Sequence, residues 1–295
     1  MTSLYSITSS VFRCNCPALD PTNAETYHHQ GVAYLRLGEY EEAILNWNCA
    51  IELDPDNAFI YSIRGKAYTY LGEYKQAIDN YSQAIARDSG NVEEFYYNRA
   101  FAYFVLKQYQ QAREDLNRVI ELDPTDADAY INRGYIYLYL RDIEQAHADF
   151  AQAAAMDRMN VNAAWMAVYA TLGKLRPRKE IAKHLETIAR IDPTTDKSHL
   201  CLAVAFSIRM KQKEALAELA QCELLDSQSQ DLHFWKGVLF AQFQQDHDET
   251  VIVHIEKALE LGLPPVLLIP LYWLEKDRPD FYVRYARPVL ARYNL

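Results

Sequence analysis

The chain has 295 residues and a formal net charge of −10, with 50% hydrophobic and 24% charged residues. That balance excludes wholesale disorder, and an acidic chain lacks the positive footprint with which proteins hold nucleic acid. The longest apolar stretch, residues 264–274, carries three prolines and falls short of the roughly 18 residues that cross a bilayer, so no membrane partner is expected.

The first 23 residues open with MTSLYSITSSVFRC, which has neither the basic run nor the long apolar run of a secretory signal. Asp20-Pro21 matches the end of later units, but Pro17 would interrupt the helix before it. Residues 1–23 are therefore expected to be irregular, a broken half-repeat. Cys14 and Cys16 make at most half a zinc site, so no metal is expected. The five cysteines are scattered and odd in number, which suggests no disulfide framework. Cys49, Cys201 and Cys222 fall in predicted helices as small hydrophobes.

From residue 24 the chain repeats. Pro21, Pro55, Pro124 and Pro193 are 34, 69 and 69 residues apart, and each gap of 69 hides one further unit. Four units follow, 24–57, 58–92, 93–126 and 127–160, each predicting two helices of about a dozen residues split by a short turn. Small residues recur where the two helices must approach: Gly31, Gly65, Ala100 and Gly134 on the first, Ala43, Ala77, Ala112 and Ala146 on the second. Gly38 and Gly72 end the first helix in a left-handed conformation, while Lys107 and Arg141 stand there in units three and four and predict less ideal turns. Asp54-Pro55 and Asp123-Pro124 end the second helix. Many of the 22 tyrosines recur at three positions of the unit (Tyr27, Tyr34 and Tyr40 in the first) and are assigned to packing.

The pattern weakens over residues 161–262, where helices are predicted over 163–172, 179–191, 199–210, 214–225, 234–243 and 249–261, three degenerate units. Residues 263–295, with five prolines, predict two short helices, 266–275 and 279–293, covering the apolar end of the stack as a C-terminal cap. The charge is uneven: residues 24–160 hold 22 acidic and 12 basic side chains, residues 161–295 hold 17 of each.

These units resemble the tetratricopeptide repeat (TPR) family, a 34-residue helix–turn–helix. The resemblance is clear over residues 24–160 and weaker to about 261. It implies an all-α TPR-type solenoid, a right-handed superhelix whose first helices line a concave groove and contact a peptide from six positions. Those positions hold Phe59, Ser62, Lys66 and Tyr70 in unit two, Tyr97, Asn98, Phe101 and Phe104 in unit three, and Ile131, Asn132, Tyr135 and Tyr139 in unit four. The aromatics suit anchoring, and the amides of Asn98 and Asn132 suit a peptide backbone, since each donates and accepts. Some of the aromatics, Phe104 and Tyr70 among them, have packing between first helices as their alternative role. TPRs that clamp the C-terminal carboxylate of chaperone tails are matched only at Asn98, and Asp128 has the wrong sign, so that subclass is not expected.

A second feature is a basic edge: Lys174, Arg176, Arg178 and Lys179 in the turn of unit five, and Arg209, Lys211 and Lys213 in that of unit six. No phosphate-cradling glycine loop, nucleophile elbow or zinc-protease helix occurs. His28 and His29 are adjacent and point ~100° apart, so they form no chelate. Asp246, His247, Asp248 and His254 are assigned to a solvated turn. The expectation is a cytoplasmic, non-enzymatic module without cofactor. It captures a neutral or basic protein segment with apolar or aromatic side chains. The alternatives are a structural subunit assembling through its ends or cap, and an effector using the basic edge.

Overall fold

The structure is a computed structural model, and it describes residues 22–88, 90, 92–157, 160–171, 178–243, 248–272, 280 and 282–293. The N-terminal segment up to residue 21, with Cys14 and Cys16, lies outside them, as do Lys174, Arg176, Asp246 and His247. Two compact units form, Met1–Ala129 and Tyr130–Leu295.

In the first unit α1 (Ala24–Leu37), α2 (Tyr40–Leu53), α3 (Ala58–Tyr70), α4 (Tyr74–Arg87), α5 (Glu93–Val105) and α6 (Tyr109–Leu122) succeed one another. Helix α7 (Ala127–Tyr139) begins at its end. Each first helix packs on the second of its pair, and α2 on α3 and α4 on α5 continue the stack. Helix α1 starts where the Asn23 carboxamide accepts the Glu25 N–H at 2.9 Å. It ends at Gly38 (φ 80°), which takes the left-handed turn without a steric penalty. Helix α6 ends one residue before Asp123, whose carboxylate accepts the Thr125 N–H and hydroxyl at 2.8 and 2.7 Å. Asp192 caps Thr194 in the same way.

The small residues of the first helices make room for the rings four residues, about one helical turn, beyond the expected sites at Ala43, Ala77 and Ala146. A Cβ on Gly31 would lie 2.6 Å from Trp47, on Gly65 2.8 Å from Tyr81, and on Gly134 2.8 Å from Phe150. A larger side chain at Gly134 would therefore clash with Phe150 rather than with Ala146. Where unit three has Ala100, the corresponding residue is Leu116, smaller than a ring, so the two positions compensate in volume.

The second unit continues with α8 (Ile143–Met156), α9 (Val161–Thr171), α10 (Arg178–Ala189), α11 (Asp196–Ile208), α12 (Gln212–Leu225), α13 (Gln230–Phe243) and α14 (Asp248–Glu260). Its core is continuous from Leu138 to Leu290 and is centred on Trp165, Tyr169 and Trp235, with the two indoles 6.0 Å apart edge to face. The end differs from the two α-helices expected. Residues Pro265–Tyr272 form a 3-10 helix, and a π turn, Tyr282–Ala286, leads into the short α15 (Arg287–Arg292). Pro265 and Pro270 each lack an N–H, which breaks the ordinary helical ladder. Cys201 and Cys222 are buried free thiols, and burial pushes the Cys222 thiol up to about 12. Cys49 is buried but disulfide-bonded, so it is not the isolated thiol expected; cysteine spacing does not reveal which thiols meet in space.

Candidate functional site

The first helices α1, α3 and α5 carry the candidate face of the first unit. The His28 ring on α1 meets the Phe59 ring on α3 edge to face at 5.6 Å. Lys66 on α3 pairs with Glu94 on α5. Phe59, Tyr70 and Phe101 remain 56%, 63% and 50% exposed. Tyr70 is stacked on Tyr40 at 5.1 Å, and Phe101 meets the edge of Tyr74 at 6.4 Å, so both rings have a packed side and an open one. Phe104 packs on Tyr109 at 5.8 Å and Ser62 is buried. Tyr97 and Asn98 are half-buried beside them. The Nδ2 of Asn98 is sealed from solvent yet finds no acceptor among the described residues. The same holds for His28 Nδ1, and burial lowers that imidazole's pKa.

Residues of the second unit behave differently. Ile131, Tyr135 and Tyr139 on α7 are half-buried and pack against its core. Tyr135 meets Phe150 edge to face at 5.2 Å, its hydroxyl is hydrogen-bonded to Asn162, and burial raises its pKa. It belongs more to the scaffold than to an open face. Asn132 is half-buried.

A ladder that sequence reading passed over stands behind these faces. Arg99 makes a two-pronged ion pair with Asp115, Nε to Oδ2 at 2.8 Å and Nη2 to Oδ1 at 2.7 Å. Arg133 does the same to Asp149 at 2.8 Å on both prongs. Arg64 reaches Asn80 and Asn48 at 2.7 and 2.6 Å. Each arginine lies near tyrosine rings: Tyr61 for Arg64, Tyr96 and Tyr103 for Arg99, Tyr130 and Tyr137 for Arg133. The repeat tyrosines are thus packing residues with a cation attached. Burial pushes the Asp115 and Asp149 carboxyls up, against the pull of their arginines. The available signal was an arginine at the same place in three units with Asn or Asp 16 residues later.

The basic edge is partly neutralised. Arg209 pairs with Glu186, and Lys211 lies 3.6 Å from Glu214, while Lys179 and Lys213 are exposed; the side chain of Arg178 lies outside the described residues. His254 is half-buried on α14, its Nδ1 3.2 Å from that of His233, rather than in a solvated turn. Among the described residues no three His, Cys, Asp or Glu side chains gather as a metal site. No helix among them is long and apolar enough to cross a membrane.

Comparison with known proteins agrees with this architecture. The family model described as "TPR repeat" matches residues 31–69 and 65–107, and those described as "Tetratricopeptide repeat" match 93–126 and 116–148. A search of curated proteins finds no match. Among solved structures, a tetratricopeptide repeat protein from Parabacteroides merdae is 18% identical, covers 84% of this chain and 98% of its own, and has a TM-score of 0.65. The C-terminal part of a TPR repeat-containing protein from Cytophaga hutchinsonii is 16% identical over 77% and 93%, with a TM-score of 0.60. Pseudomonas aeruginosa pilF is 21% identical over 72% and 96%, with a TM-score of 0.55. These likenesses show the all-α repeat fold. Proteins of this kind are generally non-enzymatic protein–protein interaction modules that take protein or peptide partners. With tandem helix pairs, rings under the small residues and family matches from residue 31 to 148, that stretch of the chain is an array of tetratricopeptide repeats.

Proposed function

We propose that this interaction module captures an extended or helical peptide segment on the α1–α3–α5 face, with Phe59, Tyr70, Tyr97 and Phe101 as aromatic anchors and Asn98 as the backbone clamp. The observation that carries the reading is the sealed, unsatisfied Nδ2 of Asn98 among half-open rings. A buried donor without an acceptor costs about 1–3 kcal/mol, so turning the Asn98 amide outward to a peptide carbonyl would be favoured. The acid excess of residues 24–160 favours a neutral or basic segment with apolar or aromatic side chains. Chaperone carboxylate tails are not its ligands in this reading, because Asp128 would repel them. A cytoplasmic location belongs to the same proposal. The free thiols of Cys201 and Cys222 support it, and the bonded Cys49 does not.

The test is capture of the partner from host lysate, followed by affinity of the purified pair. Asn98→Ala and a Tyr97→Ala/Phe101→Ala double variant should each weaken binding by about 1–3 kcal/mol. Tyr135→Ala is a poor probe, because it would also open the core beside Phe150. Unchanged affinity in both variants, with circular dichroism confirming the fold, removes this face as the binding surface.

A further inference from the structure

Residues of α5 and α6 line an open cleft of about 430 Å³. Tyr96, Glu114, Asn117, Arg118 and Glu121 contribute to it, together with the Arg99–Asp115 pair. Its meaning comes from the preceding helix pair. There Arg87, the last residue of α4, lays its guanidinium over the Tyr61 ring, 4.3 Å from the centroid. Its Nε donates to the Pro55 carbonyl at 2.7 Å, and its Nη1 donates to the Gln83 carbonyl and side-chain oxygens at 3.0 and 2.6 Å. Thirty-five residues on, Tyr61 becomes Tyr96, Gln83 becomes Arg118 and Arg87 becomes Leu122. Leu122 is 52% exposed and carries no charge.

The other cation of the pattern is kept. Arg99 lies 5.4 Å from the Tyr96 centroid, much as Arg64 lies 5.5 Å from that of Tyr61. Among the described residues no cation takes the place of Arg87 over Tyr96. Arg118 is instead tied to Glu121 at 2.6 Å. Within the lining, Arg99 and Asp115 neutralise each other, which leaves the carboxylates of Glu114 and Glu121 against the single guanidinium of Arg118.

We propose that this cleft is a receptor for the guanidinium of an arginine on a partner protein, seated over Tyr96 as Arg87 is seated over Tyr61. A planar, weakly hydrated guanidinium stacks on a ring while its edge donates to carboxylates, which an ammonium does less well. The acid excess of residues 24–160 draws such a side chain in. The cleft shares no residue with the α1–α3–α5 face, so either site can fail alone.

The experiment titrates the full chain with N-acetyl-arginine amide and with its citrulline counterpart, which keeps the shape and loses the charge, by nitrogen–proton NMR. The arginine probe should saturate in the millimolar range, about fivefold more tightly than citrulline, a typical worth for an exposed cation over a ring. Arg118→Gln, which restores the glutamine of the preceding pair and removes a rival charge, should tighten binding about twofold or more. Leu122→Arg, which supplies the missing cation from within, should weaken it about fivefold. Both positions are exposed, so neither change threatens the fold. Equal affinity for citrulline, no saturable binding, or full affinity in Leu122→Arg each overturns the assignment.

Discussion

Tyr81 shows how one side chain couples packing to pH. Its ring fills the space that a Cβ on Gly65 would take, it is 1% exposed, and its hydroxyl lies 3.1 Å from Thr69 Oγ1. Burial pushes its phenol from 10.0 up to about 12. The unfolded phenol ionises near 10 while the folded one keeps its proton to about 12, so this contribution is whole below pH 10 and is lost as pH rises from 10 to 12. Two pH units correspond to about 2–3 kcal/mol. Tyr81→Phe should cost about 0.5–1.5 kcal/mol at pH 8 through the lost hydrogen bond, and should be less sensitive to alkali than the parent. Urea midpoints of both proteins at pH 8, 10 and 11 test this. Tyr169 and the buried thiols also respond to alkali in both proteins, so the difference between parent and variant is the readout. Parallel decline in the two would mean that Tyr81 is not held neutral by the fold.

At the scale of the helix pair, one turn is built with and without glycine. Gly38 and Gly72 close α1 and α3 at φ 80° and 76°, while Lys107, Arg141 and Met210 adopt φ 59°, 62° and 57° at the equivalent places. The hydrogen bonds are the same: Gly72 N–H to Thr69 O at 3.1 Å and Glu73 N–H to Tyr68 O at 2.9 Å, against Lys107 N–H to Phe104 O and Gln108 N–H to Tyr103 O, both at 2.9 Å. The repeat therefore imposes the left-handed residue even where a Cβ makes it cost roughly 1–2 kcal/mol. Lys107→Gly should stabilise by about 0.5–1 kcal/mol after glycine's own entropy in the unfolded chain is offset. Gly72→Ala, where a Cβ would meet nothing within 4 Å, should destabilise by about 1 kcal/mol through the backbone alone. Thermal midpoints moving in these opposite directions support the turn; an unmoved or lowered midpoint in Lys107→Gly sinks it. The glycine turns were legible in the sequence; those at Lys107 and Arg141, expected to be less ideal, instead keep the same hydrogen bonds, because the repeat spacing fixes the backbone. Several other features were not. The two-pronged Arg99–Asp115 and Arg133–Asp149 pairs join residues whose meeting depends on packing of two helices. The 3-10 and π segments arise where prolines and core contacts override periodicity. Whether Tyr135 faces outward or into the core was equally hidden, because its repeat position is the same in both cases.

At the scale of the whole chain, the second unit depends on its end. Leu263, Leu267, Leu268 and Leu271 are each at most 4% exposed and belong to the core that holds Trp165, Tyr169 and Trp235. The Tyr169 hydroxyl, fully buried, donates to the Leu267 carbonyl. Truncation after Gly262 removes these four leucines together with Tyr282, Val289 and Leu290, all buried. It also removes the acceptor of the Tyr169 hydroxyl. Burying one leucine is worth about 1.5–3 kcal/mol, so the four alone represent more than the margin most domains possess. An uncovered repeat end is also adhesive, since its apolar face has lost its lid. The truncated chain should therefore aggregate in light scattering, or lose hydrogen-exchange protection in α13 and α14 while α1 to α4, in the other compact unit with its own core, keep theirs. A monomeric truncation with protection unchanged in α13 and α14 would make residues 263–295 an appendage. Loss of protection throughout α1 to α4 as well would mean that the two units fold as one cooperative body, in which the cap stabilises the candidate binding face from a distance in sequence.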